Sequence, residues 1–317
     1  MSKARIFRRI GALLCALFTG YLLLDTFVIE RSYTTVADDP ALFETLDAEG
    51  ESGGVLTELA YTFNDAQTSI LLPADAEIIG EVEGDLYSVT LYTFRLNGTQ
   101  IYAADVVTRS AQALKTALAG DVYGRNITDK TSAIASAHGA ALAINGDFYG
   151  ARESGLVIRN GVLYRDSAVE DTEVLVIYAD GSFAILPADE AEGEALLAAG
   201  AWQAFSFGPG LVEQGQVSVT ASEEVGRAKS SNPRTAIGRI GENHYVFLVS
   251  DGRTDESEGL SLYELAQLME ALGCTEAYNL DGGGSSAMVF EGRVVNKPTT
   301  NGKRISERSV SDIVYIG

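Results

Sequence analysis

The chain has 317 residues, 46% of them hydrophobic, enough to bury one large core or two medium ones. Its 33 glycines against only 6 prolines suit short strands joined by tight turns and exclude a disordered chain. A formal charge of −21 argues against nucleic acid as a partner, and two cysteines, Cys15 and Cys274, exclude a disulfide framework and a cysteine metal cluster.

Lys3, Arg5, Arg8 and Arg9 precede a run that is apolar from Ile10 to Ile29 apart from Asp25, small residues and hydroxyls. That length matches a bilayer-spanning helix, and the basic side should stay in the cytoplasm. The expectation is a signal-anchor over residues 1–30, touching the lipid bilayer through residues 10–29. A single-pass cell-membrane protein with an extracytoplasmic C-terminal body follows. A cleaved signal peptide competes, but the cleavage-like triplet Thr35-Val36-Ala37 lies well beyond the run. Leu14 precedes Cys15 where a bacterial lipoprotein has a small residue.

Residues 31–84 read as an acidic stalk and extension, polar over 31–54 with a short helix at Pro40–Leu46. The main domain is placed at 85–317. It opens with an alternating stretch, 85–110, that turns at Asn97-Gly98, a strong hairpin signal. Ser110 is expected to cap a short helix, "AQALKTALAG", closed by Gly120. "TSAIASAHG" has helical spacing, and "AALAINGDFYG" reads as a buried strand entering a polar turn. Hairpins follow at Asn160-Gly161 and Asp180-Gly181, then a helix in "EGEALLAAGAW". "RTAIGRIGENHYVFLVSDGR" supplies two more strands. "SLYELAQLMEALG" is the best helix, with Ser261 and Glu264 as a capping box and Leu262, Leu265, Leu268, Met269 and Leu272 on one face. The fold class is α/β, an α+β-like mixed sheet with many hairpins and a few packed helices.

Three segments share one design, an apolar strand ending in polar residues and glycine: "AINGDFYG" (143–150), "FLVSDGR" (247–253) and "NLDGGGSS" (279–286). An ordinary Asx turn explains any single Asp-Gly. Three glycines in a row exceed what a two-residue turn needs. Successive N–H groups of Gly282, Gly283 and Gly284, with the hydroxyls of Ser285 and Ser286, would make an anion-binding nest. The segment lacks the lysine and the ending of a nucleotide-binding P-loop. Basic residues gather on either side of it, whereas 165–194 holds nine acids and one arginine. Arg234, at the entrance to a strand, suits bidentate recognition of phosphate or carboxylate. His138 and His244 are too separated for a zinc signature and read as structural or surface groups. No metal or other cofactor is required; carboxylates and loop carbonyls leave room for a bound calcium.

"AINGDFY", "SFGPGLVEQG", "NPRTAIG", "VSDGR", "GLSLYELAQLMEALGCTEAYNLDGGGSSAM" and the closing "NKPTT…ERSVSDIVYIG" resemble, in order, the motifs of the phosphodiester glycosidase family. The resemblance runs from about Tyr87 to Gly317 and leaves the anchor and stalk uncovered. It implies hydrolysis of a sugar-1-phosphodiester at the glycosidic C–O bond. The chemistry needs a carboxylate to activate water or attack the anomeric carbon. Asp281 is the first candidate because it adjoins the glycines, and Asp147 the second. Asn145 and Asp251 are then expected on sugar hydroxyls and Arg234 on phosphate. Arg308, on a family motif position, reads equally as a second phosphate contact or a structural salt bridge. Two further classes stay open, a non-catalytic phosphoglycan-binding or polysaccharide-assembly module and a phosphodiesterase cutting P–O.

Overall fold

The computed structural model describes residues 14–21, 24, 28–33, 70–167, 169–220 and 231–317. The helix expected at Pro40–Leu46, most of the stalk, and Arg227 and Lys229 lie outside the described residues. Residues 14–21 are helical, and among the described residues no helix is long and apolar enough to cross a membrane. The stalk expectation changes at its first residues. Arg31–Ser32 is a strand paired antiparallel with Gly124–Arg125, so the chain is already docked on the body there.

The body is rich in sheet and has few helices. Its largest sheet has eight strands, in the spatial order Gln216–Val217, Gly210–Glu213, Glu276–Asn279, Arg234–Gly241, His244–Ser250, Thr99–Thr108, Tyr87–Leu96 and Glu77–Gly84. A five-stranded sheet is formed by Arg293–Val294, Met288–Phe290, Leu142–Asn145, Asp312–Ile316 and Leu114–Leu118. A second runs Val162–Arg165, Val157–Arg159, Ala201–Phe205, Glu173–Tyr178 and Phe183–Pro187. Where a mixed sheet was expected, every pairing among the described strands is antiparallel. Short turns impose this on hairpin neighbours, since a tight hairpin can join only antiparallel strands, while the long-range pairs adopt the same sense. The turns at Asn97-Gly98, Asn160-Gly161 and Asp180-Gly181 fall where the dipeptides placed them.

The central core is shared by all three sheets. Leu91, Val106, Tyr245 and Phe247 from the large sheet meet Leu142, Ile144 and Val314 from one small sheet and Leu175, Ile177 and Phe205 from the other. Each outer face carries a helix. Helix α1 (Thr131–Ala137) covers the sheet containing Leu142–Asn145 through Ile134 and Ala135. Helix α2 (Gly193–Ala198) packs Leu196 on the second small sheet. Helix α3 (Leu262–Ala271) buries Leu262, Leu265, Leu268 and Met269 on the back of the large sheet. Its capping box is complete. Ser261 Oγ accepts from the Glu264 N–H at 3.1 Å, and the Glu264 carboxylate accepts from the Ser261 N–H at 2.9 Å.

One helix expectation fails. Ser110 does cap, accepting from the Gln112 N–H, but only a single turn of 3-10 helix, Ala111–Ala113, follows. Leu114–Leu118 is a strand, with each residue from Leu114 to Leu118 opposite one in Asp312–Ile316. Helical propensity in this short apolar stretch yields to a full ladder with a strand almost two hundred residues away.

The ends of Glu276–Asn279 and His244–Ser250 and the start of Arg234–Gly241 lie at one edge of the large sheet, since Arg234 is opposite Ser250 and Ala236 opposite Asn279. The small-sheet strand Leu142–Asn145 ends at the same seam. Residues 280–287 are the crossover that carries the chain from the large sheet (Asn279) into the small one (Met288).

Candidate active site

All three polar strand ends meet at this seam. Asn145 is its clasp. Its Nδ2 donates to the Asp281 carbonyl at 2.6 Å and to the Gly146 carbonyl at 3.3 Å. Its Oδ1 accepts from Thr235 Oγ1 at 2.8 Å and the Ala287 N–H at 3.2 Å. Both donors and both lone pairs are thereby used, and the side chain is fully buried. Asn145 therefore holds the crossover loop in place; a sugar hydroxyl has nothing left to bind there.

Asp251 plays a similar part. One oxygen accepts from the Lys297 N–H at 2.8 Å and from Asn296 Nδ2 at 3.2 Å, and Asn296 also donates to the Ser286 carbonyl. Burial pushes the Asp251 carboxyl up, against these hydrogen bonds. The residue ties the 296–297 segment to the loop rather than facing outward.

Asp147 is beneath the site. It is 1% exposed and forms an ion pair with Arg159 Nη2 at 2.8 Å, while accepting from the N–H groups of Tyr149 and Ser206. Arg159 Nε in turn holds Asp312 at 2.9 Å, making a buried acid–arginine–acid triad. The triad fixes the turn after Asn145, because the Gly146 N–H donates to the Asp312 carbonyl and Asp312 packs against the Gly146 Cα. A carboxylate so enclosed has no route to a substrate, so the second candidate acid falls to a supporting role.

Asp281 differs from all of these. Its N–H is bonded to the Gly146 carbonyl at 3.2 Å, which locks the backbone. As a residue it is half-buried, where Asn145, Asp147 and Asp251 are buried. Burial raises its pKa. Ser285, the Arg308 charge, the Gly282 N–H and the Arg152 charge oppose the rise.

The glycines have separate reasons. A Cβ on Gly282 would lie 3.0 Å from the Pro233 carbonyl oxygen. Gly283 has φ +62, and its Cβ would be 2.9 Å from Arg253 Nη2. On Gly284 a Cβ would be 2.5 Å from Thr300 Oγ1 and 2.9 Å from Arg308 Nη2. The triplet thus lets two arginines close on the main chain. Gly283→Ala is expected to cost about 1–2 kcal/mol for the left-handed backbone and to displace Arg253. Thermal melting with a parallel sugar-phosphate titration checks both.

The nest itself is largely spent. Gly283 N–H donates to the Pro233 carbonyl, Ser285 N–H to that of Gly282 and Ser286 N–H to that of Gly283. The Gly282 N–H serves the Asp281 carboxylate. Side chains therefore provide most of the cationic surface. Arg253 bonds Asn232 Oδ1 and the Thr300 carbonyl, Arg308 bonds Ser285 Oγ, and Arg152 bonds the Ser206 carbonyl with its guanidinium over the Phe207 ring. These partners are neutral, so the positive charge is not cancelled in contact. Burial lowers the Arg253 pKa, and the neighbouring Arg308 charge lowers it further. Arg234 is buried at the loop's edge, its Nε on the Leu260 carbonyl. The hydroxyl of Ser286 is buried with no hydrogen-bond partner among the described residues.

Arg152 and Arg253 were not singled out as site residues from sequence. Arg253 ends the quoted "VSDGR" and Arg152 lies two residues beyond "AINGDFYG", where a cation following a polar turn is the available signal. The histidines are elsewhere. His138 pairs with Asp121, and His244 with Asp105 at the opposite end of its strand from Ser250, about 20 Å away. Among the described residues no group of three His, Cys, Asp or Glu is placed to hold a metal ion.

Residues 138–317 match the phosphodiester glycosidase family. The chain belongs to that family. The match takes in the whole seam, from the strand before Asn145 to the C-terminus. Among similar proteins is the SPbeta prophage-derived uncharacterized protein YomE of Bacillus subtilis (strain 168), 26% identical over 300 residues, or 87% of this chain and 45% of that one. The N-acetylglucosamine-1-phosphodiester alpha-N-acetylglucosaminidase of Mus musculus is 38% identical over 66 residues, 21% of this chain and 13% of its own length. The chain thus spans less than half the length of these curated relatives. In structure it is similar to the zebrafish N-acetylglucosamine-1-phosphodiester alpha-N-acetylglucosaminidase catalytic domain, auto-inhibited by pro-peptide. That likeness has a TM-score of 0.57 at 18% identity, covering 79% of this chain and 86% of the other. A hypothetical protein from Synechocystis gives 0.50 at 16% identity, covering 73% and 62%. At such identities these two structures speak for the phosphodiester glycosidase fold alone.

Proposed function

We propose that the chain is a membrane-anchored, extracytoplasmic hydrolase. It cleaves the glycosidic C–O bond of a sugar-1-phosphodiester in a cell-envelope or exopolysaccharide glycan. The observation that carries this reading is one half-buried acid, Asp281, set among guanidiniums whose own partners are neutral. Such a site is equipped to act on carbon on one side and to hold a phosphate on the other. Placement outside the cytoplasm is supported by the basic residues ahead of the apolar run.

The chemistry balances without a strong general acid. Asp281 either deprotonates a water that bonds to the anomeric carbon, or bonds to that carbon itself to give a glycosyl ester whose C–O bond a water then breaks, releasing the sugar and restoring the carboxylate. The bond from that carbon to the phosphate oxygen breaks, and its electron pair leaves with the phosphate monoester. The extra negative charge develops next to Arg308 and Arg253, where fixed cations stabilise it more in the transition state than in the diester. Asn145 and the Arg159 triad keep the loop from relaxing as this happens.

The test uses an N-acetylglucosamine-1-phosphodiester, the substrate type in the mammalian relatives' names, in heavy-oxygen water. The label is expected on the sugar C1 hydroxyl, with unlabelled phosphate monoester. Label in the phosphate would mean P–O cleavage, and binding without turnover would make the domain a phosphoglycan-binding module. Arg308→Gln should lower kcat/KM roughly 10- to 100-fold, the equivalent of one charge-assisted contact. The loss should narrow at high salt, as measured by initial rates across an ionic-strength series.

A further inference from the structure

The segment leaving the N-terminal apolar run is tied to residues 123–126. Arg31–Ser32 pairs with Gly124–Arg125, the Tyr33 N–H donates to the Tyr123 carbonyl at 2.9 Å, and Asn126 Nδ2 donates to the Ile29 carbonyl at 2.9 Å. Gly124 is open enough for the strand to close on it; a Cβ there would collide with the Arg31 carbonyl oxygen.

The residues that receive this strand also hold the turn following Asn145. The Asn126 N–H donates to the Gly150 carbonyl at 3.0 Å. Tyr33, Tyr123 and Tyr149 form a ladder, with ring centroids 6.1 Å and 5.1 Å apart. Tyr149 in turn donates its N–H to Asp147. Arg125 pairs with Glu153, the neighbour of Arg152, and the Arg152 charge acts on Asp281. From membrane-side strand to candidate carboxylate the path is a few side chains long.

Exposed apolar residues adjoin these contacts along the chain. Val28, Ile29, Val122 and Phe148 are exposed, and Phe148 is held at φ +69, a left-handed conformation costly for a large side chain. Ile29 and Arg31 can be no more than about 7 Å apart. A body docked so soon after the apolar run cannot stand off from a bilayer that holds the run. Tyrosines such as Tyr33 favour the water–lipid boundary.

We propose that the site opens at the membrane surface and that the substrate's aglycone is a lipid. The substrate class is then a sugar-1-phosphodiester of a membrane-embedded long-chain alcohol, with its sugar at Asp281 and its chain left in the bilayer. The inference rests on the hydrolase reading above and adds the aglycone to it.

The experiment uses the full chain in phosphatidylcholine vesicles. Two probes are compared, N-acetylglucosamine-1-phosphate as its hexadecyl diester in the vesicles and as its methyl diester in solution. The hexadecyl probe is expected to show a kcat/KM at least about tenfold higher, because the short link to the apolar run holds the site against the lipid that carries the substrate, an effective concentration that falls as the link lengthens. A flexible Gly-Ser insertion between Glu30 and Arg31 keeps the docked strand but frees the body from the bilayer. It should remove that advantage and leave methyl-diester turnover unchanged. Equal kcat/KM for the two probes, or a lipid advantage that survives the insertion, overturns the proposal while the hydrolase reading stands. If neither probe is turned over, the hydrolase reading falls and this inference with it.

Discussion

Replacing Asp281 by asparagine is expected to abolish measurable release of sugar from a sugar-1-phosphodiester while leaving the fold intact. The general-base contribution alone is worth about 10²–10⁴ in rate, and asparagine can neither accept a proton from water nor attack carbon. The fold should not suffer. Burial disfavours the Asp281 charge, so a neutral side chain of the same shape removes a cost instead of a stabilising pair. The same raised pKa places the acidic limb of the rate profile above that of a free aspartate, because the ionised form does the work. Initial rates over a pH series, together with a melting curve of the variant, check both statements. Retained turnover in Asp281→Asn would remove this residue from the mechanism.

The largest stability effect is expected at Arg159. Its guanidinium is 2% exposed and neutralises two buried acids at once, Asp147 at 2.8 Å and Asp312 at 2.9 Å. Arg159→Leu strands both, at a cost of roughly 3–5 kcal/mol, read as a shift in the denaturant midpoint. Adding Asp312→Asn to that variant should recover part of the loss, because the penalty is uncompensated charge more than lost packing. No recovery would mean the arginine acts mainly through the Phe205 and Tyr149 rings it lies against.

The triad also carries a pH dependence. Burial pushes Asp312 up to about 7, against the pull of Arg159, with Asp147 adding to the rise. A folded pKa above the unfolded value of about 3.9 means the native state binds the extra proton. Stability from this group is therefore complete below the unfolded pKa and declines as pH rises, gone once it passes about 7. The melting temperature of Asp312→Asn should gain on that of the unaltered chain between pH 5 and 8. A constant difference would show that Asp312 stays ionised.

How much could be read in advance depends on range along the chain. Asn97-Gly98 and Asn160-Gly161 specify their hairpins because a two-residue turn needs left-handed backbone that these residues tolerate, while Asp180-Gly181 sits in a longer loop between Tyr178 and Phe183. Ser261 and Glu264 cap α3 across three residues. By contrast, "LKTAL" has no local feature marking it as a strand, and its partner, Asp312–Ile316, lies at the far end of the chain.

The candidate site divides in the same way. Asp281, the glycine triplet, Ser285 and Ser286 stand out in sequence because polar strand ends and glycines interrupt apolar runs, Arg234 as a cation at a strand entrance, and Arg308 only through its family-motif position. Their division of labour was not legible. Asn145, Asp147 and Asp251 have the same residue types as binding groups, yet contacts with Asp281, Arg159 and Lys297 turn them into supports. Likewise, the loop amides look free in a glycine-rich string until Pro233 and the loop's own carbonyls are brought against them.

By itself the amino-acid order determined the hairpins, the capped helix, the acidic body and the residues at which chemistry could occur, since each is set by neighbours a few positions apart. Tertiary structure alone decided which of those residues are enclosed. A polar side chain's role depends on what touches it, and the contacts of Asn145 with Asp281, Asp147 with Arg159 and Asp251 with Lys297 join positions 12 to 136 residues apart.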